Sequence, residues 1–185
     1  MFIFVNESSA NRRYFIKTNL FITHNANKFS IYDSSETNLL YRIKSLYSWT
    51  QKLQIIKQSS EEEVVGELKW KFTLGQQKAN FTVHDPDSNQ WINGNIQKKF
   101  CFLCGKYFIR WNEQDIRIEK KGILSATLFI DDKRNQTLAR LEKRPFALFK
   151  TTEYDLEIIS NDFPDAIYFV GFAFHVLSSR RSGKG

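Results

Sequence analysis

The sequence predicts a mainly β domain: an antiparallel barrel closed around one helix at its C-terminal end. Three observations lead there. Short stretches that alternate apolar and polar residues recur along the chain between polar turns, about a dozen of them. Residues 166–177 are apolar on every side of a helix, so other structure must wrap them. A long antiparallel sheet has edges to hide, and such a helix has a whole circumference to hide; one closed barrel resolves both.

Taken in order, residues 1–11 read as a leader with one short apolar stretch, and the domain as 12–179. The first strand is 12–17. Residues 28–33 alternate, 34–38 carry turn chemistry and 39–44 alternate again, which is a hairpin. The same unit follows twice: 53–57 turns through 58–62 into 64–72, and 81–85 turns through 86–89 into 90–100. The spacing is ~25 residues, within the range of internal repeats. Strands at 105–111, 114–120, 123–130, 137–143 and 153–159 continue the rhythm less regularly, with a strong turn at 131–135.

Asp162 or Asp165 suits the helix cap, and Pro164 suits its first turn, where no N–H is needed. A membrane span needs about 20 apolar residues, and this run is shorter, so it reads as a helix threaded through one domain. Residues 180–185 read as a disordered basic tail.

Composition fits that picture. The chain has 185 residues, a length suited to one domain, and its 17 Phe, 7 Tyr and 4 Trp are enough to fill a large core. The net charge of +7 favours contact with anionic surfaces such as lipid headgroups or nucleic acid. No secretory leader is recognisable, so the glycosylation patterns at Asn6, Asn80 and Asn135 read as chance matches. The expectation is an intracellular, cytoplasmic protein with reduced thiols, peripheral at the membrane where it meets lipid.

The Lys28, Phe29, Ile31, Asp33 pattern with its turn, strand and closing Lys-x-Phe, residues 14–17, and residues 154–157 followed by the apolar helix together resemble the LURP-one-related proteins. The resemblance covers roughly residues 12–179 and lies in the order of elements. It implies a twelve-stranded antiparallel barrel around a central hydrophobic helix, in one superfamily with tubby C-terminal domains and phospholipid scramblases. Tubby domains bind phosphoinositide headgroups through basic residues on the barrel. Scramblases are associated with lipid movement and calcium. No stretch here matches the tubby headgroup site residue by residue. The scramblase calcium segment corresponds to 153–165, which is acidic but forms no wrapping loop.

A few side chains have the chemistry for a site. Cys101 and Cys104 have CxxC spacing, but zinc needs two further ligands and His24, His84 and His175 are scattered, so they read as free thiols. His175, inside the apolar helix, reads as a core histidine bonded to a barrel carbonyl. His84 reads as a strand-end residue. Glu153, Asp155 and Glu157 share one strand face but do not wrap an ion. Trp70 and Trp111 alternate with polar residues and read as core. No nucleophile elbow, P-loop or H-E-x-x-H motif is present.

The basic residues remain the functional prospect. Lys69 and Lys71 share a strand face, Lys98 and Lys99 close the third repeat, Lys120 and Lys121 mark a turn, and Lys143 and Arg144 precede Pro145. The reading is a non-enzymatic binding or scaffold domain. Its anionic-phospholipid contacts are Lys69, Lys71, Lys98, Lys99, Lys143 and Arg144, with phosphoinositide headgroups as the ligand class. The alternatives are a protein–protein interaction domain without a lipid ligand and a scramblase-like membrane protein. No catalytic residue, cofactor or metal is assigned, and nucleic acid is not an expected partner.

Overall fold

A computed structural model of the chain describes residues 11–18, 27–46, 52–73, 76–99, 106–120, 122, 125–145 and 152–182, without the side chains of 27, 71–73, 76, 99 and 180–182. The elements are β1 (Arg12–Thr18), β2 (Asn27–Tyr32), β3 (Leu39–Leu46), β4 (Lys52–Lys57), β5 (Glu63–Thr73), β6 (Gln76–Asp85), β7 (Gln90–Lys99), β8 (Lys106–Trp111), β9 (Gln114–Lys120), β10 (Thr127–Asp131), β11 (Thr137–Lys143), β12 (Glu153–Ile158) and α1 (Asp165–Ser182). Each strand pairs antiparallel with its sequence neighbours, and β12 returns to pair with β1, so the barrel closes. Every predicted strand is present.

Three bounds differ from the sequence reading by more than two residues. β6 begins at Gln76, not 81. Ala79 is the one apolar residue among 76–80, so alternation is faint there; opposite it stands Trp70, whose indole fills the space a larger residue would take. β10 begins at Thr127, not 123, because Ser125 turns back on Gly122 through both its N–H, at 3.3 Å, and its hydroxyl, at 2.8 Å. The helix runs to Ser182, so Arg180 and Arg181, placed in the tail by sequence, lie on its last turns. Tight hairpins put non-glycine residues in the left-handed region, with Asn112 at φ 45° and Glu113 at φ 60° between β8 and β9.

The helix is encased. Ile167, Tyr168, Phe169, Val170, Phe172 and Phe174 are all fully buried, each contributing on the order of 2 kcal/mol of apolar burial. Phe172 sits edge-on between Phe29 at 4.9 Å and Tyr154 at 5.3 Å, and Phe174 stacks on Trp70 at 4.6 Å. Trp111, the other tryptophan expected in the core, is also buried. At the helix start, Asp165 accepts a hydrogen bond from Tyr14 Oη and pairs with Arg12 at 2.9 Å, which ties α1 to β1. Asp162 is held by Arg134. Among the described residues, no helix is long and apolar enough to cross a membrane.

Candidate functional site

The barrel has two mouths, and the helix gives them opposite character. Its N-terminal mouth holds a cavity of about 500 Å³, lined in part by Arg12, Tyr41, Trp111, Phe163 and Asp165. Burial first, and then the Asp165 charge, push Tyr41 up to about 12. The turns at this end carry mostly carboxylates and amides.

The C-terminal mouth is basic. Strand period two sets which lysines turn inward. Ile96, Ile118 and Leu141 are core residues on β7, β9 and β11, and two positions further along each strand stand Lys98, Lys120 and Lys143. All three are therefore aimed at the C-terminal half of α1, beside His175. Lys120 and Lys143 line one cavity of about 1070 Å³ with Thr127, Thr152, His175 and Ser179. Lys98 acts on the same histidine: burial pushes His175 down to about 4, with Lys120 and Lys98 adding repulsion. The imidazole is thus neutral near pH 7. Tyr107 meets it edge-on at 5.2 Å, and Nδ1 finds no hydrogen-bond partner among the described residues, contrary to the carbonyl expected from sequence.

The six predicted basic residues do not form one patch. Lys143 and Lys98 converge on the C-terminal mouth. Lys69 is exposed on the outer face of β5, across from Lys52 and Asn80. Lys71 and Lys99 lie on β5 and β7, with side chains outside the described residues. Arg144 forms a knot instead: it grips Asp155 at 2.8 and 2.6 Å, pairs with Glu36 at 2.8 Å and lies 4.1 Å from the Phe15 ring centroid. These carboxylates hold the guanidinium pKa above its ordinary value.

Lys120, outside the six contacts expected from sequence, joins the site, and its spacing from Ile118 is the signal that marks it. The hydroxyls of Thr127 and Thr152 had no such signal. On β12, Asp155 and Glu157 are engaged by Arg144 and Arg13. No group of three or more His, Cys, Asp or Glu able to hold a metal occurs among the described residues. Cys101, Cys104, His24 and Lys121 lie outside them. His84, on β6, shares a 3.1 Å hydrogen bond with Asn89.

A closed antiparallel barrel threaded by an apolar helix, with its open chemistry at the mouths and outer face, defines the class of central-helix β-barrel domains. Within that class the chain belongs to the LURP-one-related family, whose model matches residues 12–173. Membership suggests a tubby-like binding domain of a generally non-catalytic kind. No curated protein and no solved structure matches the chain.

Proposed function

We propose that this protein is a non-enzymatic domain that recognises the phosphorylated headgroup of an anionic phospholipid, a phosphoinositide above all, at the C-terminal mouth of its barrel. The observation that carries this reading is the joint presence of Lys120 and Lys143 in one large cavity with His175, toward which Lys98 on β7 also turns its charge. The lysines supply charge, and Thr127 and Thr152 supply hydroxyls for phosphate oxygens. Each basic residue near an anionic membrane adds on the order of 1 kcal/mol. Lys69, Lys71 and Lys99 add to the field from the outside of the barrel, and Arg144 holds the seam that presents Lys143. In this reading the protein is a peripheral membrane binder, not a scramblase-like one, since the apolar helix is committed to the barrel interior.

The test is co-sedimentation of the full chain with phosphatidylcholine vesicles, with and without phosphoinositide. Binding should require the phosphoinositide, weaken as salt screens the charges, and fall several-fold in Lys120→Glu/Lys143→Glu. Equal binding to both vesicles, or none at low salt, would defeat the reading and leave a protein partner as the alternative.

A further inference from the structure

The outer face of β6 and β7 carries features that the basic mouth does not use. Outward residues pair directly across the two strands: His84 with Trp91, Thr82 with Asn93, and Asn80 with Asn95. Trp91 is the one exposed large hydrophobic side chain among the described residues, at 49%. Its indole is held in place, because His84 lies 5.6 Å away at 62° and is itself fixed by Asn89. Next along the strip, Thr82 donates to Asn93 Oδ1 at 2.9 Å, which leaves the Asn93 amide hydrogens free to donate outward. The side chains of Asn80 and Asn95 make no hydrogen bond among the described residues, so both present a full set of donors and acceptors. Glu67, Lys69, Asn80, Thr82, Asn93 and Asn95 line a shallow groove of about 430 Å³ over this face.

We infer that this strip is a binding site for a neutral oligosaccharide. A rigid, exposed indole stacks on the apolar C–H face of a pyranose ring, and paired carboxamides both donate to and accept from its vicinal hydroxyls. From the Trp91 rung to the Asn95 rung the strip runs about 14 Å, which suits a short chain of sugars over a single ring. The groups that would touch the ligand, an indole and three carboxamides, are uncharged, so the ligand they fit is neutral. Glu67 is taken by Lys52 at 2.7 Å and Arg110 by Asp115 at 2.8 Å, which leaves Lys69, exposed across from Asn80, as the charge at the edge of the groove.

Isothermal titration of the full chain with cellohexaose, xylohexaose and mannohexaose, and with an oligouridylate, tests the assignment. At least one hexaose should bind. Trp91→Ala should weaken that binding at least tenfold and Asn95→Ala several-fold, with both variants melting as the wild type does, since both residues are exposed. The assignment is overturned by silence from all three hexaoses, by undiminished binding in Trp91→Ala, or by binding of the oligouridylate alone.

Discussion

His175 illustrates how position changes the chemistry of a side chain. In the unfolded chain it titrates near its ordinary value of 6.5; in the barrel, burial and the charges of Lys120 and Lys98 bring it to about 4. Between those values the unfolded chain binds the extra proton, so stability rises with pH through that window. The contribution is complete above about pH 6.5 and is lost as pH falls toward 4, an effect of up to about 3 kcal/mol. Urea unfolding at pH 4.5 and pH 7 should show this difference in the wild type and a much smaller one in His175→Leu. An unchanged difference in that variant would assign the slope to other groups. Asp33, held at about 2 by Ser35 and Asn38, and Asp131, lowered chiefly by the Arg134 N–H, act at lower pH.

At the next level up, α1 is shaped by what surrounds it more than by its own propensity. Gly171 sits mid-helix, where Ala is ordinarily favoured by about 1 kcal/mol. A Cβ there would lie 2.6 Å from Phe129 Cε1, 2.9 Å from Ile118 Cδ1 and 3.0 Å from Ile109 Cδ1, all on fully buried residues. Overpacking of this kind costs about 1–3 kcal/mol, so Gly171→Ala should destabilise the protein in denaturant despite the better helix former. Combining it with Ile118→Val should recover part of the loss. A more stable single variant would mean that the barrel gives way more easily than its packing indicates. The strands follow the same logic: inward positions on β7, β9 and β11 are apolar until the mouth, where the period continues with lysine.

Taken together, the elements separate charge along the barrel axis. The cavity at the start of α1 is lined by Glu63, Asp85, Asp87, Asp162 and Asp165, whereas Lys98, Lys120 and Lys143 gather toward the other end of the helix. Net charge and its placement can therefore be told apart. Lys133→Glu, at the acidic end, and Lys143→Glu, at the basic end, change the total equally. Only the second should reduce co-sedimentation with phosphoinositide vesicles; equal losses would trace binding to total charge and not to the mouth.

The twelve strands and the buried helix were legible in the sequence because they are local patterns. Alternation marks a strand with one wet face, and apolar residues all round mark a helix with none. Those patterns fail where a partner supplies the bulk, as at Ala79 under Trp70, or where a turn interrupts an apolar run, as at Ser125. That the inward lysines of β7, β9 and β11 meet at one mouth was not legible. Lys69, Lys98, Lys143 and Arg144 look alike along the chain, and their fates depend on strand facing and on carboxylates more than ten residues away. The primary structure by itself determined the elements, because each residue's solvent exposure repeats with the local geometry. The convergence of Lys98, Lys120 and Lys143, the Arg144 knot and the Trp91 strip were decided by the tertiary structure, because barrel closure and cross-strand register alone bring distant residues together.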